Sequence, residues 1–124
     1  MDRSASPDAP RSLLDALGEG PGEVRSRSVP RPGGSGPYWT AAARVAVAGG
    51  RVTEAAVALA SPSGPARRLG AIERGLMDGS LSDADQIIDR AGGLLDGLSP
   101  AEAYLAAWAC ADAVGRSILG AGDR

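Results

Sequence analysis

Residues 39–60, WTAAARVAVAGGRVTEAAVALA, decide the fold of this chain. On each side of the pair Gly49-Gly50 the side chains alternate, as they do in strands that have one buried face. A glycine pair between two such runs indicates a β-hairpin, because glycine tolerates the positive φ angles of a tight turn. One face of the first strand holds Trp39, Ala41, Ala43, Val45 and Val47, and one face of the second holds Thr53, Ala55, Val57 and Leu59.

The pairing of the two strands has two candidate registers. A two-residue loop sets Val45 against Glu54. A three-residue loop sets Val45 against Ala55 and, two residues further from the turn, Ala43 against Val57. A slip of one residue turns every side chain to the opposite face of the sheet. We therefore predict the second register, which keeps one coherent apolar face.

The segment before the hairpin is polar. Residues 23–29 (EVRSRSV) predict an edge strand closed by Pro30 and Pro32, and residues 31–37 predict a loop. Residues 1–22 are rich in Ser, Pro, Asp and Gly, and we expect a flexible N-terminal tail. Within it, residues 12–17 (SLLDAL) predict one or two helical turns, which are marginal unless they dock.

Helical patterns follow the hairpin. Residues 66–77 place Leu69, Ile72 and Leu76 on one stripe. A second helix is predicted to open at Ser82, and the capping box in residues 99–102 (SPAE) predicts a third that ends at Gly120. The fold class is therefore α+β: a small antiparallel sheet of about three strands, followed by and covered on one face with about three helices. The domain spans residues 23–119, and residues 120–124 form a C-terminal tail.

Composition limits the class of protein. Hydrophobic residues make up 44% of the 124, with alanine the most frequent, so the core is thin and self-association would add burial. The net charge of −2 argues against a nucleic-acid binder, and the 13 basic residues, all arginine, reflect a high-GC codon bias. The polar first ten residues lack a signal peptide, and no apolar run is long enough to span a membrane. We expect a cytoplasmic protein.

Residues 24–30, 39–81 and 99–119 together resemble the CO dehydrogenase flavoprotein C-terminal domain family. That domain ends the FAD-carrying subunits of molybdenum hydroxylases, including xanthine dehydrogenase-like enzymes. The resemblance rests on a strand ending in Val-Pro, an Ala/Val hairpin with a Gly-Gly turn, a short helix and a final helix. It also rests on single positions in these two helices: Arg67, Glu73, Leu76 and Gly79 in the first, with Ser99 and Tyr104 in the last.

The resemblance implies the fold and an association with oxidoreductases. The family's flavin contacts lie mainly in a large N-terminal domain, for which 22 residues are too few, so no cofactor is expected. The chain departs from the family at Leu105, where an arginine is usual, and in residues 31–37, which replace a basic, aromatic segment. We expect a non-catalytic interaction or assembly module that pairs with itself, as a homodimer, or with an oxidoreductase partner. Neither nucleic acid nor membrane is an expected partner.

The chemistry-bearing residues are few. There is no histidine, Cys110 lies among alanines as a structural thiol, and Asp85 and Asp89 read as a solvated helix face rather than a metal site. The weak catalytic candidates are Glu54, Arg44 and Asp112.

Four aromatic residues, Tyr38, Trp39, Tyr104 and Trp108, are candidates for a ligand-binding or interface surface. They support an alternative hypothesis, a repurposed small-molecule-binding protein or enzyme of bacterial specialised metabolism. Such a protein would use a pocket between sheet and helices that holds a charged side chain.

Overall fold

The computed structural model describes residues 11–30, 38–60, 66–95 and 99–122. Four strands form one antiparallel sheet in the order β1-β2-β3-β4, and the fold class is α+β as predicted. The elements in chain order are α1 (Arg11–Leu17), β1 (Glu23–Pro30), β2 (Tyr38–Ala48), β3 (Arg51–Ala60), β4 (Arg67–Arg68), α2 (Gly70–Asp78), α3 (Ala84–Gly92) and α4 (Pro100–Gly122). The predicted loop at residues 31–37 lies outside the described residues.

The β2–β3 hairpin has the predicted register, reached by a different route. Val45 pairs with Ala55, but Ala48 pairs with Arg51 across a two-residue turn. The register shifts by one residue between Ala46 and Val47, where β3 contains one extra residue. The predicted three-residue loop is therefore wrong: a tight turn and a β-bulge give the same pairing. Both turn glycines have positive φ, 61° and 77°, as a type I′ turn requires.

The helical layer covers one face of the sheet. Alternate residues of β2 and β3, including Val45 and Val57, are fully buried beneath α2 and α4. The inner face of α4 is built from small side chains, among them Ala106, Ala109 and Ala113, all fully buried. Small residues let the helix axis approach the sheet closely, so this core gains its contacts from proximity rather than from bulky side chains.

The other face of the sheet is also covered, which corrects the prediction of a sheet covered on one face. Helix α1 buries Leu13 and Leu17 completely against an alanine floor on β2 and β3. That floor consists of Ala42, Ala56, Ala58 and Ala60. The segment expected to be a flexible tail thus contains a docked helix within its described part.

Three helix boundaries differ from the predictions. The helix predicted over residues 66–77 begins only at Gly70, because Arg67–Arg68 form strand β4. Helix α3 is capped by Asp83, one residue after the predicted Ser82, because the Asp83 side chain accepts from the Gln86 N–H at 2.9 Å. Helix α4 continues through Gly120 to Gly122, since one helical glycine costs only about 1 kcal/mol. The Ser99 cap is confirmed: its Oγ accepts from the Glu102 N–H at 3.2 Å.

Ser117 joins α4 to the end of the β1–β2 ladder. Its fully buried Oγ donates to the Glu23 carbonyl at 2.7 Å and accepts from the Val45 N–H at 2.9 Å. Val45 and Glu23 are register partners, so the hydroxyl bridges the two strands at this pair.

Replacing Ser117 with alanine is expected to lower the free energy of unfolding by about 2 kcal/mol, because two buried backbone groups lose their partner. Urea denaturation measures this change. The exposed Ser80→Ala is the matched control and is expected to stay within about 0.5 kcal/mol of the parent. An equally small change for Ser117→Ala would contradict the bridging role.

Candidate interaction surface

Helix α4 presents an apolar stripe to solvent on the side away from the sheet. Tyr104 is 56% exposed and Leu119 is 70% exposed, and both line a cleft between α4 and α3. Positions 104, 108, 111, 115 and 119 recur every three or four residues and so share one helix face. The weak apolar periodicity of α4 is explained by this second, outward-facing set.

The cleft encloses about 420 Å³ and is open to solvent. Half-buried Trp108 lies on its α4 side and half-buried Ile88 on its α3 side. Three charged side chains also line it: Asp85 from α3, and Asp112 and Arg116 from α4. The surface between α3 and α4, defined by Ala84, Asp85, Ile88, Tyr104, Trp108, Ala111, Asp112, Gly115, Arg116 and Leu119, is called the α3–α4 surface below.

A charged cluster borders the α4 side of this surface. The Arg27 guanidinium lies 4.7 Å from the centre of the Trp108 ring, in a cation–π contact. Asp112 Oδ2 lies 3.8 Å from an Arg27 Nη1 and 3.6 Å from Arg116 Nη1, beyond hydrogen-bonding distance of both. Arg116 also donates to the Ser26 carbonyl at 3.2 Å. The cluster therefore fixes Trp108 and Arg116 relative to strand β1.

The other two catalytic candidates lie on the opposite face of the sheet. Arg44 is 5% exposed, and its Nη1 donates to Glu54 Oε2 at 3.0 Å. The same guanidinium donates to two backbone carbonyls, that of Pro21 at 3.1 Å and that of Leu17 at 2.8 Å. A cation at the C-terminal carbonyls of a helix is favourable, so Arg44 holds α1 on the sheet. The sheet separates the Arg44–Glu54 pair from Asp112.

The four aromatic candidates do not form one group. The Trp39 Nε1–H donates to Glu102 Oε2 at 2.7 Å, which ties β2 to the first turn of α4. Tyr38 begins β2 opposite Pro30. Tyr104 and Trp108 share the α3–α4 surface. Among the aromatic side chains that the structure describes, Tyr104 on α4 is the mainly exposed one.

Sequence reasoning missed one polar contact that the fold depends on. Glu73, on α2, accepts from the Val57 N–H at 2.9 Å and from Arg68 Nε. The hydrogen bond that Arg68 donates to Glu73 raises the pKa of Arg68. Arg68 Nη1 donates to the Ala16 carbonyl at 3.0 Å, so a second arginine binds the end of α1. The signal was a glutamate within the apolar stripe of Leu69, Ile72 and Leu76.

Cys110 is fully buried in the helical core, and desolvation raises the pKa of its thiol to about 12 from 9.0. The thiol therefore stays protonated at neutral pH and has no nucleophilic character there. Between pH 9 and 12 the folded chain holds a proton that the unfolded chain releases.

It follows that the thiol's contribution to stability is complete below pH 9 and falls as the pH rises towards 12. We expect the free energy of unfolding of the parent, relative to Cys110→Ala, to fall by on the order of 2 kcal/mol between pH 9 and pH 11. Urea denaturation of both proteins at each pH measures the difference and cancels other titrations. A difference independent of pH would contradict the buried neutral thiol.

The described residues contain neither a metal cluster nor a helix that could span a membrane. Within residues 11–30, 38–60, 66–95 and 99–122, no three His, Cys, Asp or Glu side chains are placed to hold a metal ion. None of the helices in the same ranges has the length and hydropathy needed to cross a bilayer.

Comparison of the chain with protein-family models, with curated proteins and with solved structures finds no match.

Proposed function

We propose that this chain is a non-catalytic interaction module that acts through the α3–α4 surface, by self-association or by docking to an oxidoreductase partner. The observation that carries the proposal is the exposure of Tyr104 and Leu119 along one face of α4. Both faces of the sheet are covered, one by α1 and the other by the helical layer. The outer face of α4 is thus the apolar surface that association would cover.

The composition of the α3–α4 surface suits a protein interface. Binding energy in interfaces is concentrated in aromatic and arginine side chains, and here Tyr104, Trp108 and Arg116 lie together. Burying one large apolar side chain contributes about 1.5–3 kcal/mol, and Leu119 is more exposed than any other large hydrophobic residue described. Arg27 and Asp112 hold the surface in place before a partner arrives, which lowers the entropy cost of binding.

The resemblance to the CO dehydrogenase flavoprotein C-terminal domain supports the choice of an oxidoreductase as the hetero-partner. Strand, hairpin, short helix and long final helix follow one another in the order that the resemblance implies. Leu76 lies within α2 and Gly79 at its C-cap, as the resemblance implies, whereas Arg67 lies in strand β4 rather than in the helix. We propose membership of this family on these grounds and assign no reaction and no flavin to the chain.

The test is native mass spectrometry of the purified chain with Tyr104→Asp as the variant. The parent is expected in complexes above the 12.4 kDa of one chain, and Tyr104→Asp is expected at 12.4 kDa alone. Met77→Asp is the matched control, because Met77 is exposed and apolar but lies at α2, away from the α3–α4 surface. A Met77→Asp variant that dissociates while Tyr104→Asp stays associated would overturn the choice of surface.

A further inference from the structure

We infer that the occupant of the α3–α4 surface is a second copy of this chain, related by a two-fold axis, with Asp85 of each copy facing Arg116 of the other. This inference rests on the proposed interaction function and specifies its partner. It follows from how charge is distributed across the surface.

The two sides of the α3–α4 surface carry opposite charge. On the α3 side Asp85 lines the cleft, and exposed Asp89 lies one helical turn further along the same helix face. On the α4 side Arg116 lines the cleft, and Arg27 lies beside it over Trp108. Because these two arginines share the single carboxylate of Asp112, the α4 side keeps a net positive charge.

A two-fold axis brings opposite charges together on such a surface. In an isologous dimer each copy presents the same patch, and residue i meets residue j while j meets i. Rotation by a half-turn places the acidic side of one copy against the basic side of the other, and it does so twice. The apolar stripe of Tyr104, Trp108 and Leu119 then meets its own copy in the centre. A surface with one sign of charge would repel its copy instead.

The β1 edge of the sheet offers a weaker route to self-association. Strand β1 forms that edge, and an antiparallel pair of β1 strands would bring Arg25 and Arg27 of both copies together. Basic side chains on an edge strand oppose pairing, and Arg116 already occupies the Ser26 carbonyl. The charges therefore favour the α3–α4 surface over the edge.

The experiment is charge-reversal complementation, followed by sedimentation equilibrium at low salt. Asp85→Arg alone and Arg116→Asp alone each place two like-charged pairs in the dimer, and each is expected to raise the dimer dissociation constant roughly ten-fold or more. An equimolar mixture makes a heterodimer in which both pairs attract, and it is expected to return to the parental dissociation constant. The chain carrying both changes is expected to do the same as a homodimer.

Two controls separate association from folding. Arg51→Asp reverses an exposed charge at the hairpin turn and is expected to leave the dissociation constant unchanged. Arg116→Asp also removes the contacts to Asp112 and Ser26, so its thermal unfolding is measured as well. If this variant does not fold, Asp85→Arg mixed with Arg116→Gln replaces the pair, with partial recovery as the expected result.

The outcomes distinguish this inference from the proposed function. A parent that is monomeric up to hundreds of micromolar overturns the second copy as occupant, while loss of a hetero-complex in Tyr104→Asp would still support the function. If Tyr104→Asp raises the dimer dissociation constant but neither charge reversal changes it, the Asp85–Arg116 pairing alone is overturned. If none of the three substitutions changes the dimer dissociation constant, both proposals are overturned.

Discussion

Replacing both Leu13 and Leu17 with alanine is expected to lower the free energy of unfolding by about 4 kcal/mol and to release helix α1 from the sheet. Each side chain is completely buried, and a buried Leu→Ala change costs about 2–5 kcal/mol. The lower end of this range applies to each leucine, because the surface beneath them is alanine and a short helix can move towards it to fill the space. A helix of seven residues has no stability of its own, so the loss of its anchors unfolds it.

Urea denaturation gives the stability change, and hydrogen exchange of the α1 amides shows whether the helix has detached. Asp15→Ala is the matched control, since Asp15 is exposed on the same helix and its replacement is expected to change stability by less than about 0.5 kcal/mol. A double variant that loses less than about 1 kcal/mol, with its α1 amides still protected, would show that α1 is not held by these leucines.

The hairpin could be predicted because its information is local. Alternation over residues 39–60 and the Gly-Gly pair specify two strands and a tight turn. The β-bulge could not be predicted in the same way. The turn chemistry demands two residues while the buried face demands the Val45–Ala55 pairing, and one extra residue in β3 satisfies both demands. Sequence reasoning weighed these demands as alternatives, although the fold meets them together.

The docking of α1 was not predicted because its partners lie far along the chain. Arg44 and Arg68 bind the carbonyls of Leu17 and Ala16, at separations of 27 and 52 residues. A polar, glycine-rich segment reads as flexible when only its own composition is considered. The local signal was the spacing of Leu13 and Leu17, which puts both leucines on one helix face.

The candidate site could be predicted residue by residue but not as an assembly. Tyr104, Trp108 and Asp112 share one face of the predicted last helix, and they line the same cleft in the structure. Strand alternation already places Arg44 and Glu54 on the face of the hairpin opposite Val45 and Val57. The contributions of Arg27 and Asp85 depend on the packing of β1 and α3 against α4, which no local pattern specifies.

Replacing Glu73 with leucine is expected to lower the free energy of unfolding by about 3 kcal/mol, although leucine has a similar volume and the site is largely buried. The Glu73 side chain is 11% exposed, and one of its oxygens accepts from both Val57 N–H and Arg68. Leucine leaves a buried N–H without an acceptor, which costs about 1–3 kcal/mol, and leaves the Arg68 guanidinium without its carboxylate. Strand β3 then loses its link to α2 at this position, while the Val57 carbonyl keeps its bond from the Leu69 N–H.

Glu73→Gln separates the two parts of this effect. Glutamine keeps a carbonyl oxygen for the Val57 N–H but carries no charge for Arg68, so it is expected to cost only about 1 kcal/mol, since the Arg68 side chain is 44% exposed. Urea denaturation ranks the variants, and exchange of the Val57 amide is expected to be fast in Glu73→Leu and slow in Glu73→Gln. Equal stabilities for the two variants would mean that the ion pair to Arg68, rather than the acceptor for strand β3, is what Glu73 supplies. If Glu73→Leu instead has a higher free energy of unfolding than the parent, desolvation of the carboxylate costs more than its two hydrogen bonds contribute. Some buried ion pairs behave in this way.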